Sequence, residues 1–167
     1  MSQLKAPSMS SRPYILRRGD GILAAEIGNA CVAIWRRDST IPRFQIQRDA
    51  LADVVARLPG KAGFFCVVEE TSGVPNDEVR TASSQMFDKH GANLRAIAMI
   101  IEGGGFRSAI VRSVAAGIVM LMGKRVTPIS YFANVEAGAQ WIGRYVDIGA
   151  VSNFKQQVED VRMLFDK

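Results

Sequence analysis

Two cysteines, a single histidine and no long apolar run bound what this 167-residue chain can be. Cys31 and Cys66 stand far apart, with no C-x-x-C spacing, so neither a zinc site nor a disulfide framework is written into them. Two buried, reduced thiols are the ordinary state of such a pair. His90, expected near the C-terminus of a helix where solvent reaches, has no G-x-S-x-G nucleophile elbow to serve, which excludes a Ser–His–Asp hydrolase of that type. The glycines at 103–105 lack the Lys-Ser/Thr ending of a phosphate loop and do not form G-x-G-x-x-G. No stretch approaches the roughly 20 apolar residues of a membrane span; residues 115–122 are the nearest, and too few. The opening residues, MSQLKAPSMSSR, lack the apolar core of a signal peptide. Residues 1–11 therefore read as a short disordered tail, and the chain as cytoplasmic.

Charge is sparse as well. The formal net charge is +5, and the excess is confined to residues 1–60, with nine Lys and Arg against five Asp and Glu. Basic residues without interleaved aromatics read as solubilising surface, so nucleic acid is not an expected partner.

What the chain does have is a hydrophobic fraction of 48%, enough for one domain with a sizeable core. Its organising stretch is residues 61–93. Phe64, Phe65, Cys66, Val67 and Val68 form a continuous apolar run of strand length, suited to a strand covered on both faces. A polar elbow follows, Glu69-Glu70-Thr71-Ser72-Gly73. Then comes a helix expected to open at Pro75 and to close at Gly91, with Val79, Ala82, Met86 and Phe87 as its inward stripe.

Around this unit, residues 12–18, 22–27 and 31–36 read as three antiparallel strands, the last two joined by a Gly28-Asn29 turn. Residues 38–43, with Pro42, read as a loop, and 47–58 as a helix carrying Leu51, Val54, Val55 and Leu58 on one face. Residues 94–101 are a further buried strand, and 106–122 a helix apolar around most of its girth. Residues 126–132 are a strand whose Pro128 marks an edge. Asn134 caps a helix over 135–146. Residues 152–165 form a last helix, whose Val151, Phe154, Val158, Val161 and Phe165 need cover from this domain or a partner. The order predicts an α/β fold: an antiparallel N-terminal meander, then a mostly parallel central sheet with helices packed on it and an extra C-terminal helix. The domain is expected over residues 12–150, and the C-terminal helix over 151–167.

This order resembles the STAS domain superfamily, in particular its SpoIIAA-like branch. The likeness rests on the apolar strand followed by a Ser/Thr-bearing elbow. It rests also on the ending Phe132-Ala133-Asn134-Val135-Glu136-Ala137-Gly138-Ala139-Gln140-Trp141-Ile142, similar to a tail of Phe, Glu-Ala and Trp-Leu common in these domains. The resemblance implies a non-enzymatic regulatory or protein-interaction module. In the anti-anti-sigma members, a serine at the start of the helix after the central strand is phosphorylated. Thr71 and Ser72 stand at that junction, in Glu70-Thr71-Ser72-Gly73 where those members have Asp-Ser-Ser-Gly.

Two elbows hold the candidate residues. Thr71 and Ser72 are candidates for phosphorylation or partner contact, or simply cap the turn. Gly103, Gly104 and Gly105, with Arg107 and Ser108, are candidates for holding an anion or other ligand before a helix, or simply make a tight turn. Glu69, Glu70 and Glu102 converge at strand ends, but no His, Asp or Cys follows at ligand spacing, so they are expected to pair with Arg107 or a nearby Lys. No catalytic residue, metal or cofactor is expected. A homodimer through the helix over 106–122 is expected. The alternative to an interaction module is a carrier or sensor of an anion or lipid-like molecule, in a groove lined by Met99, Met120 or Met122.

Overall fold

The structure, a computed structural model, describes residues 13–121 and 127–167. The expected tail over residues 1–11 lies outside the described residues, as do Met122 and Val126. Strands β1 (Tyr14–Gly19), β2 (Ile22–Ile27) and β3 (Ala30–Trp35) form the antiparallel meander. Gly28 takes φ 56° in the second turn, the left-handed region its position demands. Strands β4 (Ala62–Val68), β5 (Leu94–Ile101) and β6 (Ile129–Phe132) then add in parallel. The sheet order is β1-β2-β3-β4-β5-β6, so β6 and its preceding Pro128 are at an edge.

This linear order decides where the helices go. Right-handed crossovers that always add the next strand on the same side place every crossover helix on one face. Helices α1 (Ile41–Arg57) and α2 (Asp77–His90) accordingly share a core with Ile22, Cys31, Phe64 and Ile97. Helix α3 (Gly105–Leu121), the third crossover, packs against α2 and β5. The other face must be covered by whatever follows β6. That cover is α4 (Val135–Ile142) and α5 (Val151–Arg162), whose Ala139, Ile142, Phe154, Val158 and Val161 close over Leu23, Val32, Phe65 and Ile100. The C-terminal helix therefore docks on its own domain. Gly138 lets α4 approach this closely, because a side chain there would strike Ile100 and Phe65.

Several features differ from the sequence reading, among them the end of α4, which closes at Ile142 rather than residue 146 with the Gly143 N–H on the Ala139 carbonyl. Helix α1 starts at Ile41 rather than residue 47: Thr40 Oγ1 accepts from the Arg43 N–H at 3.4 Å, and Pro42 sits in the first turn, where its missing N–H costs nothing. Helix α2 starts after Pro75, not with it, because Asn76 caps it by accepting from the Val79 N–H at 2.9 Å. His90 is buried rather than solvated: a 3₁₀ turn, Gly91–Asn93, carries the chain directly from α2 into β5. Burial, with Lys89 adding to it, lowers the His90 pKa below its ordinary value. Among the described residues no helix is long and apolar enough to cross a membrane.

Candidate functional site

The carboxyl ends of β3, β4 and β5 hold a charge cluster that ties the last helix to the sheet. The Glu69 N–H donates to the Trp35 carbonyl at 2.8 Å and the Glu102 N–H to that of Val68 at 3.0 Å. Both glutamates are thus held as continuations of the strand ladder. Arg36 grips Glu69 with two N–H groups, at 2.6 and 3.2 Å, the planar fork that suits a carboxylate. Arg162 of α5 bridges Glu69 at 3.1 Å and Glu102 at 2.8 Å, with a second bond to Glu102. The Arg36 guanidinium also stacks 4.3 Å from the Phe165 ring centroid and reaches Asp166 at 3.1 Å. The hydrogen bond to Glu69 holds Arg36 above its ordinary pKa. Burial alone would lower Arg162, but Glu102, Glu159 and Glu69 together carry it upward. Among the described side chains, Glu69 and Glu102 thus pair with Arg36 and Arg162. Among the described residues no group of three or more His, Cys, Asp or Glu is placed to hold a metal.

Beside this cluster the two expected elbows meet, with a consequence the spacing did not anticipate. Gly103 takes φ 93° and Gly105 φ 74°, so the glycines serve a turn that other residues would strain. The hollow they share with the first elbow holds only about 10 Å³ and is bordered by Glu69, Glu70 and Glu102. A space of that size takes about one water, and two of its three carboxylates are already neutralised by Arg36 and Arg162. The side chains of Arg107 and Ser108 lie outside the described residues. Thr71 is exposed, and its hydroxyl donates to the Arg36 carbonyl at 2.6 Å. Ser72 is buried, and its hydroxyl donates to the Arg37 carbonyl at 3.1 Å. Both belong to a loop that ends four residues before α2 begins with its Asn76 cap. They fasten the elbow to β3, and in this conformation the Ser72 hydroxyl is closed to a kinase.

Behind the elbows is a cavity of about 80 Å³ between the sheet and α2. Phe64, Met99 and Ile129 supply its floor, and Val79 and Phe87 its roof. The loop Ser72, Gly73 and Pro75, with Val111 of α3, borders it at the elbow side. In sheet register Cys66 is next to Met99 and Met99 next to Tyr131, so one cross-strand row runs through it. Gln47 reaches the same space and accepts from the Trp35 indole N–H at 2.7 Å. Desolvation pushes the Cys66 thiol up to about 12, which keeps it protonated and unreactive. Met99 is part of the lining as expected, whereas Met120 is 84% exposed and points elsewhere. Ser39 and Tyr131, which no motif marked, also face this cavity. The one signal for Tyr131 is its period-two spacing from Ile129, which puts both on one face of β6.

Comparison of the chain with protein-family models, with curated proteins and with solved structures found no match.

Proposed function

We propose that the chain is a non-enzymatic regulatory module of STAS-like build that binds a small molecule between its sheet and α2. The observation that carries the reading is the cavity itself: a preformed apolar space between the sheet and α2, bordered by the elbow loop and holding a few polar groups. The STAS-like part of the proposal is supported by the antiparallel opening followed by linear parallel addition. The Phe132–Trp141 ring contact, at 5.6 Å between centroids, gives the Phe…Trp tail a packing reason. Bound ligand would press on the loop Ser72–Pro75 and on Val111, and so change the surface a partner meets.

Methyl NMR on the intact protein, screened against a library of small organic fragments, tests this. Fragments should shift the methyl signals of Met99, Val79 and Ile129, and Ser83→Leu, which fills the cavity from α2, should abolish those shifts. Ser83 is buried on the lining, and one extra isobutyl group costs about 1–3 kcal/mol, which a domain of this size tolerates. A library that leaves all three methyls unmoved sinks the reading.

A second reading, a homodimer through α3, draws on the exposure of Met120 at 84% and Ile110 at 36% on that helix. Sedimentation velocity should then give a dimer that Met120→Glu with Ile110→Glu converts to monomer. A monomeric unmodified protein rejects it.

A further inference from the structure

Two hydroxyls face the cavity with nothing to bond. Ser39 Oγ and Tyr131 Oη are buried, and neither has a hydrogen-bond partner among the described residues. A buried polar group left unsatisfied costs about 1–3 kcal/mol, so such groups are rare in folded proteins and each calls for a partner. Here both orphans line one cavity. Among the described residues lining it none carries a formal charge: the polar ones are Trp35, Ser39, Gln47, Cys66, Ser72, Ser83 and Tyr131.

From this we infer the chemical class of the ligand: a small, uncharged, largely apolar molecule with a hydrogen-bond acceptor that Tyr131 Oη–H engages, and with Ser39 as a second polar contact. The inference rests on the small-molecule reading above and narrows it. A charged group entering this space would meet no counter-charge among the described lining residues, and burying an unpaired charge costs far more than burying a carbonyl or hydroxyl. Desolvation pushes the Tyr131 phenol up to about 12, so at neutral pH it keeps its proton and donates. Ser39 belongs to the turn between β3 and α1, beside Asp38, against which Gly73 of the elbow packs. Tyr131 is on β6, three strand spacings from β3, or about 14 Å. The two hydroxyls thus enter from opposite sides. At about 10–15 Å³ per enclosed water, a volume of about 80 Å³ has room for roughly five to eight, so the enclosed part of the ligand is small.

Three probes of matched shape separate the possibilities: cyclopentanone, cyclopentane and cyclopentanecarboxylate, titrated against the intact protein by methyl NMR. Cyclopentanone should bind about tenfold more tightly than cyclopentane, and cyclopentanecarboxylate should not enter. Tyr131→Phe should remove the tenfold preference and leave cyclopentane unchanged. Ser39→Ala should leave that preference unchanged, because the one carbonyl of cyclopentanone is engaged at Tyr131, on the opposite side of the cavity. The unliganded Tyr131→Phe protein should melt no lower than the parent, since it sheds an unpaired hydroxyl and keeps the ring. Equal affinity for ketone and hydrocarbon, or entry of the carboxylate, overturns the ligand class while leaving the cavity reading intact. A lower melting temperature for Tyr131→Phe, with a long-lived water detected at that hydroxyl, overturns it also, because water would then be the missing partner. Failure of all three probes to enter, together with an inert fragment screen, removes the cavity reading itself.

Discussion

Phe154→Ala should lower the melting temperature by about 10 °C. The ring is fully buried on α5 and meets Phe65 edge-on, with 5.1 Å between centroids. Truncating a phenylalanine in such a place removes its transfer free energy and leaves a void that fixed neighbours fill poorly, a loss of about 3–5 kcal/mol. A domain of this size loses roughly 2–4 °C per kcal/mol. The magnitude matters because it measures whether α5 belongs to the fold. A helix resting loosely on the surface, or held by a partner, would register a small fraction of this. Phe154→Leu is the control: it keeps most of the volume and should cost about 1.5 kcal/mol or less. Thermal melts followed by circular dichroism distinguish the cases, and a Phe154→Ala protein that melts with its parent would mean that α5 is not docked.

Removing the Arg162 charge should cost about 2–3 kcal/mol. Its side chain is 15% exposed and faces Glu69 at 10% and Glu102 at 25%. Stranding a wholly buried carboxylate costs about 3–5 kcal/mol. Two features reduce that here: Arg36 still holds Glu69, and Glu102 reaches solvent. Arg162→Met keeps the aliphatic stem against α5's neighbours and deletes only the guanidinium, so it isolates the charge. Glu102→Gln in that background should restore part of the loss, because it withdraws the carboxylate left without its arginine. Chemical denaturation of the four proteins of this cycle gives the coupling directly. Additive losses would show that the cluster does not act as a unit.

The elements that could be read from the chain were those whose cause is local. Residues 64–68 and 94–101 are continuous apolar runs, and a strand covered on both faces needs little more than that to be recognised. Proline was less informative than its neighbours. Pro42 falls inside a helix and Pro75 outside one, because Thr40 and Asn76 supply the capping oxygens. His90 was misplaced for a related reason: its position near a helix end is local, but the return of the chain into β5 that encloses it is not. The site was legible only in outline. Apposed strand ends made Glu69 and Glu102 neighbours, yet the partner that joins them comes 60 residues after Glu102, from a helix whose docking follows from the whole topology. Ser39 and Tyr131 are further apart still, and no spacing rule relates them.

The linear strand order has a consequence for how the protein is made. Synthesis proceeds from β1 toward β6, so each strand emerges beside a neighbour already in place and the sheet can grow by accretion. Its crossover face is covered as it grows. The opposite face is not: Leu23 and Val32 wait for Phe154, Val158 and Val161, which follow Val32 by more than 120 residues. At about 5–20 residues per second, that face stays bare for on the order of ten seconds on every ribosome. During that interval a nascent chain presents a broad oily plane next to an open strand edge, and its solubility depends on whatever shields it until the final helix arrives.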